Sequence, residues 1–93
     1  MPANVLVVIR AYPKEVLENL SSLASKLERN LREKGYELIK WEPVDIAFGY
    51  KALDLYILMP EESERGTEDV EEIVKNADEI DNVDVVYLTR LGI

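Results

Sequence analysis

The amino-acid sequence predicts an α+β fold of the ferredoxin-like kind, because four short apolar segments and two helical stretches follow one another in the order β-α-β-β-α-β. This order folds as a four-stranded antiparallel sheet with both helices on one face when its crossovers are right-handed. The 93 residues suffice for one compact domain and are too few for two, so we expect a single domain over residues 1–93.

The first half of the chain predicts a central strand followed by a long helix. Residues 5–9 are apolar and mostly β-branched, which is typical of a central strand that is buried on one face and largely covered on the other. Apolar side chains then recur at helical spacing over residues 14–34. Pro13 suits the first turn of this helix, and Gly35 is placed to end it.

The second half predicts a hairpin, a second helix and a last strand. Residues 37–45 contain Pro43, which favours an edge strand or a bulge, and a glycine-bearing turn at 46–50 leads into a strand over 51–59. After an acidic loop, Thr67 is placed to cap a helix whose first turns are rich in acids. In the last strand we expect alternate residues to share one face: Val83, Val85, Tyr87 and Leu91.

The inventory of reactive side chains argues against an enzyme. The chain has no cysteine and no histidine, which excludes disulfides, thiol catalysis, zinc-thiolate sites and the usual acid–base residue. The glycines are too far apart to form a phosphate-binding loop. Adjacent acids are typical of a solvated surface, and the loop at Glu61–Glu64 lacks the ligand alternation of an EF-hand. We therefore expect no cofactor, no bound metal and no covalent chemistry.

The charge is strongly negative and unevenly distributed. Residues 1–40 carry seven Lys/Arg and five Asp/Glu, whereas residues 41–93 carry four and fourteen. Such a surface repels nucleic acids and anionic membranes; it favours a basic protein partner or serves solubility. Residues 46–53 match an RNA-binding octapeptide at three positions only. Without an export signal or a membrane-spanning run, the sequence predicts a cytoplasmic protein that binds no nucleic acid and no membrane.

Two residues have settings that invite a functional interpretation. Phe48 precedes Gly49 at the hairpin turn, where a large side chain either folds back to close one end of the core or projects into solvent; periodicity favours the core. Arg90 is the only basic residue after Lys75, in a stretch full of acids. A basic residue near a chain end is usually a solvated surface charge.

The chain resembles the archaeal elongation factor 1-beta family, which is related to the C-terminal exchange domain of the eukaryotic beta subunit. The matching residues are Pro43-Val44-Asp45-Ile46-Ala47-Phe48-Gly49-Tyr50-Lys51-Ala52-Leu53, then Gly66-Thr67-Glu68 before an acid-rich helix, and Asp84-Val85 leading to a basic residue. The resemblance covers essentially the whole chain. It implies a guanine-nucleotide exchange factor for elongation factor 1-alpha, the GTPase that delivers aminoacyl-tRNA.

The resemblance also implies which residues contact the GTPase. In the family a basic residue near the C-terminus, a lysine in eukaryotic members, is directed to the magnesium site, and the aromatic of the hairpin packs into the G domain nearby. By position these are Arg90 and Phe48. The full set of partner-binding residues is then Ile46, Ala47, Phe48, Gly49, Lys51, Arg90 and Leu91.

Two other functions remain open at this point. One is a ferredoxin-like regulatory or ligand-binding domain that acts through dimerisation. The other is a small phosphatase on the same fold, which needs an Arg and Asn phosphate cradle after the first strand. Residues 11–14 contain no glycine-rich loop of that kind.

Overall fold

A computed structural model describes residues 4–60 and 66–91, which form one four-stranded sheet and two helices. The elements are β1 (Asn4–Pro13), α1 (Leu20–Glu33), β2 (Glu37–Ala47), β3 (Tyr50–Pro60), α2 (Thr67–Lys75) and β4 (Ile80–Leu91). The strands are antiparallel in the order β2-β3-β1-β4. The predicted ferredoxin-like α+β fold is confirmed. The predicted loop at Glu61–Glu64 lies outside the described residues.

The core lies between the two helices and one face of the sheet. The central strands contribute alternate residues, among them Val7 and Ile9 of β1 and Leu55 and Ile57 of β3, which are fully buried. The helices contribute Leu23, Ala24, Leu27 and Leu31 from α1 and Val70 and Val74 from α2. On the opposite face of β1, Val8 is only 4% exposed. The prediction of a central strand that is buried on one face and largely covered on the other is therefore confirmed.

Helix α1 begins at Leu20 rather than at residue 14. Pro13 ends β1 instead of opening the helix. The helix starts where the side-chain oxygen of Asn19 accepts a hydrogen bond from the N–H of Ser22 at 3.2 Å. Proline is tolerated at a strand end as well as in a first helical turn, whereas asparagine at the N-cap satisfies an otherwise unpaired N–H. The cap therefore decides where the helix begins.

Helix α1 ends where the sequence predicts. Gly35 has φ of 88°, a left-handed conformation that strains residues with a Cβ. Its N–H donates to the carbonyl of Arg32 at 3.0 Å, and the N–H of Tyr36 donates to the carbonyl of Leu31 at 3.0 Å. These two bonds form a Schellman motif, which satisfies carbonyls that the helix leaves unpaired.

Helix α2 begins without the predicted threonine cap. Gly66 occupies the N-cap position and makes no side-chain hydrogen bond, and Thr67 is already helical. The hydroxyl of Thr67 donates to the carboxylate of Glu71 at 3.1 Å, because residues four apart lie on the same side of a helix. Glu68 and Asp69 do occupy the first turn, where the helix dipole favours anions.

The edge position predicted for the strand with Pro43 is confirmed, since β2 borders the sheet. Register shifts leave Ile39 and Ile46 as extra residues in this strand. A proline and two bulges on one edge strand interrupt its hydrogen-bonding pattern, and they hinder the addition of a further strand there.

The alternation predicted for β4 holds only in its first half. Val83 and Val85 pack against the core. A register shift leaves Val86 without a partner on β1, and such a bulge reverses the face on which the following side chains lie. Tyr87 and Leu91 therefore lie on the face that the helices leave uncovered, and the prediction that all four residues share one face is wrong.

Leu27 tests the helix–sheet core, because its side chain is fully buried between α1 and the sheet. We expect Leu27→Ala to lower the free energy of unfolding by about 2–5 kcal/mol through lost burial and a residual cavity. Leu88, which is 55% exposed, is the matched control. Leu88→Ala is expected to change the free energy of unfolding by about 0.5 kcal/mol. Urea denaturation measures the free energy of unfolding of both variants. Equal losses in the two variants would contradict the burial of Leu27 between α1 and the sheet.

Acid stability tests the contact between α1 and the start of β4. Lys26 Nζ donates to Glu79 Oε1 at 3.0 Å, and this bond lowers the pKa of Glu79 below its usual 4.5. The carboxylate therefore stabilises the fold fully above the unfolded-state pKa and progressively less as the pH falls through the folded-state pKa. We expect Glu79→Gln to flatten the dependence of stability on pH below 4.5, with Glu33→Gln as the control. Superimposable pH curves for wild type and Glu79→Gln would refute this.

Candidate functional site

The hairpin between β2 and β3 turns in two residues. Ala47 and Tyr50 are the last paired residues, and Phe48 and Gly49 connect them with φ of 51° and 80°. Positive φ at both central residues is the signature of a type I′ turn, whose twist matches that of the flanking strands. The short connection therefore requires a left-handed conformation at Phe48.

Phe48 projects entirely into solvent. Its side chain has a relative exposure of 105%, and it is the only non-glycine residue with positive φ in the described part of the chain. The left-handed conformation costs an L-residue about 1–2 kcal/mol, and no burial of the ring compensates for it. The interpretation that Phe48 closes one end of the core is wrong, because the turn directs the side chain away from the domain.

The neighbours of Phe48 form a continuous exposed segment. Ile46 is the extra residue of a bulge and is 44% exposed, and Ala47, Gly49 and Lys51 are exposed as well. The ammonium of Lys51 lies 3.7 Å from a carboxylate oxygen of Asp45, its cross-strand partner. The structure thus brings together five of the predicted partner-binding residues at one end of the sheet. We call residues 46–51 the hairpin tip.

A tyrosine joins the hairpin tip to the centre of the sheet. The hydroxyl of Tyr50 donates to the carbonyl of Pro13 at 2.6 Å, which connects the start of β3 to the end of β1. Partial burial raises the pKa of Tyr50, with Asp81 and Tyr12 adding to the effect. The hairpin is therefore held at its base while its turn extends beyond the core.

Arg90 and Leu91 lie at the other end of the sheet. Arg90 pairs with Val5, near the start of β1, whereas the hairpin tip adjoins the opposite end of that strand. Val5 and Ala11 are six positions apart along β1, which corresponds to about 20 Å of strand. Arg90 is exposed and Leu91 is 38% exposed. The predicted partner-binding residues therefore form two separate groups; the second we call the β4 end.

Comparison with known proteins finds one family. The model of the EF-1 guanine nucleotide exchange domain matches residues 6–91. The chain belongs to this family. It is 43% identical to elongation factor 1-beta of Desulfurococcus amylolyticus over 90 residues, which are 97% of this chain and 99% of that protein. It is 42% identical to the Sulfolobus acidocaldarius factor (96% and 98%) and 39% identical to the Ignicoccus hospitalis factor (96% and 94%), each over 89 residues.

The exchange domain is a guanine-nucleotide exchange factor of translation elongation, as the sequence resemblance implies. In the part of the exchange domain that the structure describes, no three acidic side chains lie close enough to hold a metal ion. Neither of the described helices is long and apolar enough to cross a membrane.

Sequence reasoning missed a polar network on the uncovered face of the exchange domain. Arg10 donates from Nε and Nη2 to both carboxylate oxygens of Asp54, at 2.8 and 3.1 Å, which raises the pKa of Arg10 further above its usual range. Lys40 Nζ lies 4.4 Å from the ring centre of Tyr56, and a hydrogen bond to Glu42 raises the pKa of Tyr56. The signal in the sequence was Arg10, a charge that interrupts an apolar strand. These interactions hold the polar side chains of the uncovered face in place between the hairpin tip and the β4 end.

Position 48 has a left-handed backbone conformation that disfavours phenylalanine. Phe48→Asn therefore tests whether the phenylalanine contributes to stability or lowers it. Asparagine tolerates the left-handed region, and Asn-Gly is the favoured type I′ pair. We expect Phe48→Asn to raise the free energy of unfolding by about 0.5–1 kcal/mol, because strain is relieved and no core contact is lost. Thermal and urea unfolding measure this change. A clear loss of stability would mean that the phenylalanine ring does contribute to the core.

Proposed function

We propose that this exchange domain promotes the release of GDP from elongation factor 1-alpha by binding it, with no covalent chemistry. The observation that carries the proposal is the conformation of Phe48, an apolar ring held wholly in solvent by a strained turn. Strain of this kind clusters at functional sites. A fully exposed phenylalanine gains free energy when a partner buries it, at about 25 cal/mol per Å² of apolar surface.

The second contact in this proposal is the β4 end. Arg90 reaches toward the nucleotide site of the GTPase, where Mg²⁺ and phosphate-loop groups hold the phosphates. A guanidinium brought there opposes the metal and competes for the phosphate oxygens. The distance between the β4 end and the hairpin tip means that the two contacts act on separate parts of the partner.

Thermodynamic linkage explains why such a factor needs no catalytic acid or base. If the factor binds the GTPase without nucleotide more tightly than the GDP-bound form, GDP and the factor weaken each other's binding by the same ratio. The exchange domain then accelerates exchange only through binding free energy. A cytoplasmic location fits this role, because translation takes place in the cytoplasm.

A nucleotide-release assay tests the proposal. Catalytic amounts of the exchange domain are expected to accelerate release of a fluorescent GDP analogue from elongation factor 1-alpha. Phe48→Asn, which keeps the fold, should slow this release about tenfold or more, the effect of losing roughly 1.4 kcal/mol of transition-state binding. Ile39→Ala is the control, because Ile39 is a half-exposed apolar residue on β2 away from the hairpin tip. Unchanged release at saturating wild-type factor would refute the proposal.

Arg90 variants separate charge from shape at the second contact. We expect Arg90→Ala to slow release and Arg90→Lys to retain most of it, because the sequence resemblance implies a basic residue near the C-terminus rather than arginine in particular. Stopped-flow measurement of GDP release with each variant at saturation makes the comparison. Equal rates for Arg90→Ala and wild type would remove Arg90 from the mechanism and leave the hairpin tip as the contact.

A second candidate is a domain that acts through dimerisation. It is favoured by three consecutive exposed apolar residues on the edge strand β4: Val86, Tyr87 and Leu88. Light scattering at several concentrations distinguishes the candidates. A tight dimer without acceleration of GDP release would favour dimerisation, whereas a monomer that accelerates release would exclude it.

A further inference from the structure

A cavity opens on the uncovered face of the sheet beside the hairpin tip. Its volume is about 390 Å³, within the range of ~300–1,000 Å³ typical of small-ligand sites. Six residues from β1, β3 and β4 line it: Tyr12, Tyr50, Asp81, Asn82, Val83 and Asp84. We call it the tyrosine–aspartate cavity. Tyr50 is the one residue that this cavity shares with the hairpin tip.

The alignment of the strands brings the lining residues of this cavity together. Tyr12 lies opposite Asn82, and a register shift next to this pair leaves Asp81 as an extra residue of β4. Tyr50 enters from the first position of β3, where its hydroxyl is fixed on the carbonyl of Pro13. Two tyrosine rings and two carboxylates thus converge from three strands, although they lie far apart in the sequence.

The lining is anionic and aromatic, and none of the six residues that form it is a lysine or an arginine. Neither Asp81 nor Asp84 forms an ion pair within the described part of the chain. Arg10, whose Cα lies opposite Asp84, directs two hydrogen bonds to Asp54 on β3 and also interacts with the side chain of Tyr12, so it does not pair with either aspartate of the cavity. The negative potential extends across the cavity, since Asp81 helps to raise the pKa of Tyr50.

These features specify the occupant. Carboxylates attract a cation, and tyrosine faces bind arginine or lysine by cation–π interaction, more strongly when water is excluded. A metal ion fits less well, because hard cations prefer six or more oxygen ligands and no group of three acidic side chains suited to a metal lies among the described residues. The space also exceeds what one ion needs.

We propose that the tyrosine–aspartate cavity receives an arginine or lysine side chain of the protein that binds the hairpin tip. This rests on the proposed function, because the cavity shares Tyr50 with the hairpin and faces the same approaching surface. The contact orients the exchange domain on its partner, and it gives part of the domain's negative charge a role in binding. It contributes mainly to affinity and association rate, while Phe48 and Arg90 act on the nucleotide.

Neutralising both carboxylates tests the proposal through affinity. For Asp81→Asn/Asp84→Asn in the full chain, we expect the Kd for elongation factor 1-alpha to rise about threefold to tenfold at low salt and its dependence on salt to become shallower. Isothermal titration calorimetry at about 0.05 and 0.5 M NaCl measures both. Glu33→Gln/Glu68→Gln is the control, since it changes the net charge equally with exposed residues on the two helices.

The outcomes separate this inference from the proposed function. If the two double variants bind equally well while Phe48→Asn still slows GDP release, the inference is overturned and the proposed function stands. If the wild-type exchange domain does not accelerate GDP release, the proposed function fails, and the cavity is decided by the probe below.

A small-molecule probe examines the cavity without the partner. N-acetyl-arginine amide is expected to shift the amide NMR resonances of residues 81–84 in the wild-type chain but not in Asp81→Asn/Asp84→Asn. N-acetyl-citrulline amide has nearly the same shape and no charge, so it is expected to leave them in place. Equal shifts with both probes, or no shift with either, would overturn the proposal.

Discussion

The pairing of β1 with β3 in the middle of the sheet is the constraint on which the remaining structure depends. It sets Val7 opposite Ile57 and Ile9 opposite Leu55, so that all four side chains enter the core together. If one of the two strands slipped by one residue, its side chains would turn to the uncovered face. The same register sets Arg10 opposite Asp54, so the ion pair on one face and the packing on the other select one alignment. Both edge strands and the hairpin then take their positions from this pair.

The pairing of β2 with β3 holds the turn between them in an unfavourable backbone conformation. The left-handed backbone at Phe48 costs about 1–2 kcal/mol, a sizeable part of the ~5–15 kcal/mol by which domains are stable. It persists because β2 and β3 continue in register on both sides of the turn and Tyr50 holds the base. The cost is local, and it keeps an apolar ring in solvent where only a partner can bury it.

The sequence predicted the buried faces of β1 and β3 and the end of α1, because side-chain periodicity and Gly35 report directly on backbone geometry. It misplaced the start of α1, since Pro13 is compatible with both a strand end and a first helical turn. The reversal of Tyr87 escaped detection because every residue around the β4 bulge is apolar, and alternation is then uninformative. In the candidate site, the family motif indicated the hairpin residues, whereas the tyrosine–aspartate cavity depends on strand register, which no local pattern encodes.

The separation of the hairpin tip from the β4 end limits how an exchange factor of this shape works. Two contacts on one rigid body reinforce each other, because formation of the first raises the effective concentration of the second. That gain requires the spacing between them to be fixed. Here strand β1 fixes it along the sheet, and the Arg10–Asp54 pair ties β1 to β3 toward the hairpin end. In the proposed mechanism, a variant that loosened this pair would leave both contact groups chemically intact and yet weaken their joint action, so the central strands would matter as much as the two ends of the sheet.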